Sequence, residues 1–335
     1  MTTRVELKPV DRIEILSVVD NVFDLLLTST DVAKRVGPTS LDGGQVPTLE
    51  APLLTSGRAA DTPVAEHGLS FLVSVTSGDT RRTVLFDTGA TVGGLVHNLR
   101  VLSVDPGDIE AVVLSHGHFD HTTGLGELAE WLRPPPSLIA HPDVWLNRRI
   151  AVPGRDAFEL PTLSEEKVRA AGFDVTSTRE PLPLLDGGLL TTGEIARTTE
   201  FERGLPVHQA LRDGEWQPDP LLQDDQALVA EVRGKGLVVI TGCAHAGVVN
   251  TVRHAQELTG VDRIHAVMGG FHLAGPVFEP IIEPTVEALR ELAPDVVVPA
   301  HCTGWRATHA LAAAFGDAFV PGSVGTVFVF EGGDG

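Results

Sequence analysis

The feature that most constrains this chain is a run of seven residues, Ser115-His116-Gly117-His118-Phe119-Asp120-His121, placed directly after the apolar stretch Ala111-Val112-Val113-Leu114. Four aliphatic residues bounded by polar ones read as a short buried strand. The end of that strand then carries three histidines and an aspartate. In extended geometry alternate side chains share a face, so His116, His118 and Asp120 are expected to converge, with His121 aimed elsewhere and free to serve a second ion. Imidazole and carboxylate are the donors that a divalent ion of borderline softness prefers. One histidine here would read as an ordinary polar loop residue; four donors at this spacing read as a metal site.

Three further strand ends repeat the signal. Leu237-Val238-Val239-Ile240 runs into Thr241-Gly242-Cys243-Ala244-His245-Ala246-Gly247, His265-Ala266-Val267-Met268 into Gly269-Gly270-Phe271-His272-Leu273, and Val296-Val297-Val298 into Pro299-Ala300-His301-Cys302-Thr303-Gly304. Ligand sites of layered α/β proteins collect at the C-terminal ends of strands. His301 and His245 therefore read as metal ligands. His272 is divided between substrate contact and structural polar core. Cys243 is either a ligand of a second ion or a buried small residue, and Cys302 reads as the latter. Asp87, in Leu85-Phe86-Asp87-Thr88-Gly89, either orients a ligand histidine or caps a turn. Glu66 and His67 are candidate pocket residues, Glu194 a candidate ligand and Arg197 a candidate anion contact. His97, His141, His208, His254, His265 and His309 lack such context and read as ordinary.

The coarse pattern is short strands alternating with helices. Strands are expected at 13–19, 69–75, 83–86, 111–114, 137–140, 227–232, 237–240, 265–268, 296–298 and 326–330, and helices at 92–101, 125–132, 164–171, 248–258, 284–292 and 307–314. In the helix at 284–292, Val286, Leu289 and Leu292 form one apolar stripe. Hairpins are expected between 69–75 and 83–86 and between 227–232 and 237–240. Hairpins with interspersed helices, occurring in both halves, predict an α/β (α+β) protein with two packed sheets and outer helices. The chain is expected to form one domain over 1–335, with long loops at 31–62 and 198–225.

Composition narrows the function. Against 25 Lys and Arg stand 45 Asp and Glu, a net charge of −20. Such a surface repels phosphate backbones and anionic lipid, so nucleic-acid and membrane partners are disfavoured and a small-molecule substrate is expected. Nuclease activity conflicts with this charge. Two cysteines cannot build a disulfide framework. With no apolar signal-peptide core near Met1, a cytoplasmic location is expected.

The His-X-His-X-Asp-His run, Asp87 in its Asp-Thr-Gly turn and His301 resemble the metallo-β-lactamase superfamily. The resemblance implies a four-layer αββα sandwich with its site between the sheets. Glu66-His67-Gly68, the Gly242–Gly247 and Gly269–Leu273 segments and His301-Cys302-Thr303-Gly304 resemble one subgroup, that of dihydropterin-(ribofuranosyl)aminobenzene-phosphate synthases and related metal-dependent hydrolases. Cys243 falls where many members have a metal-bridging Asp. The family's Gly-His-Thr ligand segment is missing; Thr191-Thr192-Gly193-Glu194-Ile195 lies where it would fall, so either Glu194 replaces that histidine or His245 reaches across.

What the resemblance implies is a hydrolase with one or two divalent ions, Zn2+ or alternatively Fe2+ or Mn2+. His116 and His118, with His245 or Glu194, would hold the first ion, and Asp120, His121 and His301 the second. A metal-activated hydroxide would attack a small anionic ester, lactone, phosphoester or pterin phosphate. Asp120 would accept a proton, and His272 or Arg197 would bind the substrate anion. The alternatives are dihydropterin-phosphate group transfer and a mononuclear iron enzyme that oxidises thiols. A non-catalytic metal- or ligand-binding role is a third, which the intact Asp120 and histidine run disfavour. A homodimer is compatible with the fold.

Overall fold

The computed structural model describes residues 4–35 and 47–333. Its framework is two large sheets. The first has eight strands, ordered Asp174–Ser177, Ser137–Ala140, Ile109–Val113, Thr80–Phe86, Ser70–Ser77, Arg12–Val19, Thr326–Glu331 and Ala33–Arg35. Its first four strands run parallel, and the rest pair antiparallel. The second sheet has six, ordered Leu182–Leu184, Leu189–Thr191, Ala227–Val232, Gly236–Thr241, Ile264–Gly270 and Val296–Ala300, and its last three run parallel. Both expected hairpins form, with Val73 opposite Val84 and Val229 opposite Val239.

The strands are unbroken aliphatic runs because both of their faces are covered. Between the sheets, Ile13, Ile15, Phe71 and Val73 meet Leu228, Ala230, Val238, Ile240 and Met268. On the outer face of the second sheet, Val239, Val267 and Val297 pack under the helices Val248–Thr259, Ile282–Leu292 and Trp305–Phe315. The outer face of the first sheet buries Leu85, Val112 and Leu138 under Gly94–Val101, Leu125–Trp131 and Glu165–Ala170. The result is the αββα layering. Each fully buried Val, Leu or Ile contributes about 1.5–3 kcal/mol, so the sandwich fixes the strand ends that carry the donors. Helix punctuation follows local rules: Ser164 accepts from Lys167 N to cap its helix, and Gly260, at φ 75°, ends Val248–Thr259.

Two expectations need correction. The stretch 198–225 is not an irregular lid. It contains the antiparallel pair His208–Arg212 and Glu215–Pro218, which joins Arg148–Ile150 and Phe158–Glu159 in a third, four-stranded sheet. The stretch 31–62 contains Ala33–Arg35, an edge strand of the first sheet, and the small hairpin of Thr48–Glu50 with Arg58–Ala60; its residues 36–46 lie outside the described residues. The strands in both stretches are only three to five residues long and lack an aliphatic run, so no local hydrophobic period announces them. Among the described residues no helix is long and apolar enough to cross a membrane.

Candidate metal centre

Parallel strands deliver their C-terminal ends to one side. In the first sheet Thr80–Phe86 and Ile109–Val113 end at Asp87 and at Ser115-His116; in the second, three adjacent parallel strands end at Cys243 and His245, at His272, and at His301 and Cys302. The sheets approach closely here. A Cβ on Gly242 would collide with Ser115 Oγ, and one on Gly117 with the Val144 carbonyl. Ala244, His272 and His301 all adopt left-handed backbone angles, φ 53°, 45° and 46°. Strain of that kind, about 1–3 kcal/mol per residue, is characteristic of functional sites.

The donors fall into sets that share Cys243. Asp120, His121, Cys243 and His301 bring one ligand atom each to within 4.8 Å of one another, as do His116, Cys243 and His245, and likewise Cys243, His272 and Cys302. His118 Nδ1 lies 3.1 Å from His245 Nε2. The sequence reading of alternating faces was wrong for Asp120. Phe119–Thr122 forms a helical turn entered from an extended His118, and Asp120 groups with His121, Cys243 and His301 rather than with His116. Asp120 Oδ2 instead lies 3.3 Å from His301 Nε2 and 3.9 Å from His121 Nε2.

Hydrogen bonds fix which nitrogen each ring presents. Ser115 Oγ donates to Asp87 Oδ2 at 2.7 Å, so it accepts from His116 Nδ1 at 2.9 Å. His116 Nε2 is left buried and without a partner. His121 Nδ1 donates to the same Asp87 oxygen at 2.7 Å, which turns its Nε2 toward Cys243 Sγ at 3.1 Å. His301 Nδ1 donates to Asn21 Oδ1 at 3.0 Å, leaving its Nε2 without a hydrogen bond next to Asp120. Asp87 thus orients ligand candidates rather than merely capping a turn. An anchored Nδ1 and an inward Nε2 suit each of these imidazoles to a cation, His116 in the set with Cys243 and His245, the other two in the set with Asp120 and Cys243.

The electrostatics agree. Burial, reinforced by neighbouring rings, holds His116 and His245 well below the ordinary imidazole pKa, and burial does the same to His118. These rings are neutral and their lone pairs are available. Burial also opposes the charge of His121, but Asp87 and Asp120 outweigh it and push its pKa up to about 9. Burial would raise Asp120, yet His121 and His301 hold it below the usual carboxylate range. Burial pushes the Cys243 thiol up.

The remaining candidates separate. His67 lies at the mouth, 67% exposed, with Nε2 3.8 Å from Asp120 Oδ2. His272 lies against His245 with ring centres 4.2 Å apart and planes tilted by 51°, and its Nδ1 is buried without a partner. Three expectations fail. Glu194 is drawn to Arg179 (2.6 Å) and His141 (3.1 Å), away from the donors. Arg197 donates to the backbone carbonyls of Ile195 and Leu221, tethering two segments, and lines a cavity with Arg179 and Glu194 rather than the donor cluster. Glu66 accepts from Ala90 N at 2.7 Å and from Thr91, clamping the turn after Asp87.

Sequence reasoning missed several residues. His208 Nε2 lies 3.1 Å from His118 Nε2. Asp225, its pKa pushed up to about 6 by burial, accepts from Ala246 N and shapes the Cys243–Gly247 turn. Asp224 accepts from Gly117 N at 2.8 Å and pairs with the buried Arg148 at 2.7 Å. Asp20 accepts from His301 N at 2.8 Å. The pair Asp224-Asp225 before a strand was a usable signal; His208, Asn21 and Asp20 gave none locally.

Residues 65–301 match the family model described as the metallo-beta-lactamase superfamily. A 7,8-dihydropterin-6-methyl-4-(beta-D-ribofuranosyl)-aminobenzene-5'-phosphate synthase of Methanocaldococcus jannaschii is 31% identical over 274 residues, covering 79% of this chain and 90% of that protein. An uncharacterized protein of the same organism is also 31% identical, over 269 residues, 78% of this chain and 93% of its own. The crystal structure of Tm1679, described as a metal-dependent hydrolase of the beta-lactamase superfamily, superposes with a TM-score of 0.68 at 25% identity, covering 96% of this chain and all of that one. With the αββα layering and the donor sets at its strand ends, the chain belongs to the metallo-beta-lactamase superfamily.

Proposed function

We propose that the protein is a metal-dependent hydrolase of a small anionic substrate, an ester, lactone, phosphoester or pterin phosphate. The observation that carries this reading is the convergence of His116, His121 and His301, each with Nδ1 anchored and Nε2 turned inward. His116, His118 and His245 would hold one ion and Asp120, His121 and His301 a second, with Cys243 facing both sets. A divalent ion held by these residues, Zn2+ or alternatively Mn2+, would supply Lewis acidity and lower the pKa of water toward neutral. Asp120 Oδ2, kept ionised by its imidazole neighbours, is the acceptor for a proton of the attacking water. His67 at the mouth and His272 behind His245 are the residues placed to contact substrate. Buried Asp87 holds the His121 ring directly and the His116 ring through Ser115.

Elemental analysis of the purified protein tests the centre: about two zinc or manganese per chain are expected. About one tightly held iron would redirect the reading to redox chemistry, and no bound metal after reconstitution with each ion would overturn it. His118→Ala should keep its fold and lose turnover; wild-type turnover in that variant would sink the mechanism.

The synthase relative favours a second reading, transfer of a phosphorylated pterin-type group. Product analysis in 18O-water separates the two. Label in the product marks hydrolysis, whereas an unlabelled product joined to an organic acceptor marks transfer.

A further inference from the structure

We propose that His208 is a positioning residue of the metal centre: it accepts a hydrogen bond from His118 Nε2–H and thereby commits His118 to offer Nδ1 to the ion. The inference rests on the centre proposed above. The two nitrogens of His118 face different neighbours. Nδ1 lies 3.1 Å from His245 Nε2, inside the donor cluster, and Nε2 lies 3.1 Å from His208 Nε2, outside it. A neutral imidazole has one N–H and one lone pair. If Nδ1 gives its lone pair to the ion, the proton of His118 sits on Nε2, and the facing His208 Nε2 must be bare. The proton of His208 is then on Nδ1, which has no hydrogen-bond partner and faces Asp219 Oδ2 at 3.8 Å.

His208 is well fixed for this task. Its side chain is fully buried. It opens the strand His208–Arg212, opposite Ile150 in the third sheet. Asp219, beyond it, is held by Arg148 at 3.2 Å and Arg212 at 3.4 Å. A chain of Asp219, His208 and His118 therefore runs from the third sheet to the donor cluster. Without His208 the Nε2 proton of His118 loses its acceptor, and the ring is free to change tautomer or rotate away from His245. Residues that hydrogen-bond a metal-ligating imidazole typically account for about 10–100-fold in metal affinity.

The test is zinc affinity, measured on the metal-free full chain by competition with a chromophoric chelator. His208→Ala should bind zinc about 10–100-fold more weakly, while His208→Gln, whose Oε1 accepts at the same place, should recover to within a few-fold of wild type. Unchanged affinity in His208→Ala overturns the proposal. Should the alanine variant fail to fold, the wild type carries the test through 15N NMR of ring-labelled, zinc-loaded protein. One imidazole coordinated through Nδ1, with a hydrogen-bonded Nε2–H, is expected; coordination of every bound imidazole through Nε2 overturns the proposal. Failure of the wild type to bind zinc or any other divalent ion would overturn the metal centre itself, and the inference with it, whereas tight wild-type binding with an indifferent His208 would overturn the inference alone.

Discussion

Asp87 does the most positioning for a residue that touches no candidate substrate. One of its carboxylate oxygens takes the proton of Ser115 Oγ and that of His121 Nδ1, and the other accepts from Ser115 N at 2.7 Å. Asp87→Asn keeps the shape but puts an N–H where an acceptor is needed on one side. It should weaken zinc binding about 10–100-fold with the fold retained. Chelator competition measures this, and an unaltered affinity would show that Asp87 is only a turn residue. The centre should also report pH. His121 is raised in the folded state above its unfolded value, so its contribution to stability is complete below about pH 6.5 and lost as pH rises through about 9. Metal-free protein should therefore become less stable across that window, while zinc affinity rises because the ion no longer competes with a proton. Urea unfolding and zinc titration at pH 6.5 and 9 check both signs.

At the scale of elements, the sequence was legible wherever a segment is buried on both faces. The strands expected at 137–140 and 227–232 have the observed bounds, and the helix expected at 284–292 forms as Ile282–Leu292 with Leu289 fully buried. Aliphatic periodicity reports burial, and burial there is decided by nearest neighbours. The third sheet was illegible because its strands are short and pair with segments distant in sequence; the buried Arg148 on one of them pairs with Asp224 and also reaches Asp219. That pair also holds Gly117, next to the donors, through Asp224. Arg148→Leu leaves buried Asp224 without its cationic partner and Asp219 with Arg212 alone, and should cost about 3–5 kcal/mol. Chemical unfolding of the metal-free protein is the measurement, and a loss below about 1 kcal/mol would mean that this sheet is held by its packing.

On the scale of the whole molecule, the two sheets meet through one apolar layer, and the donors come from both. Ser115, His116, His118, Asp120 and His121 follow a strand of the first sheet; Cys243, His245, His272 and His301 follow strands of the second. Donors from both sheets would hold a metal ion here, linking the halves of the sandwich. Stripping it with a chelator should lower the melting temperature in proportion to the logarithm of free metal, because an ion that binds only the native state stabilises it by mass action. Scanning calorimetry at several zinc concentrations tests this, and a melting temperature independent of zinc would place the ion outside the folded core.

The sequence by itself determined the layered fold class and the strand ends at which histidines gather, because hydrophobic period and local donor spacing are properties of neighbouring residues. His116, His118, His121, His245 and His301, singled out from the sequence, lie close together in the structure. Only the tertiary structure decided that Asp120 turns toward His301, that Glu194, Arg197 and Glu66 serve other partners, and that His208, Asn21 and Asp20 belong beside the donors. Those outcomes depend on which distant segments meet when the sheets close. His208 and His118 are 90 residues apart, and no local pattern encodes a contact made across that separation.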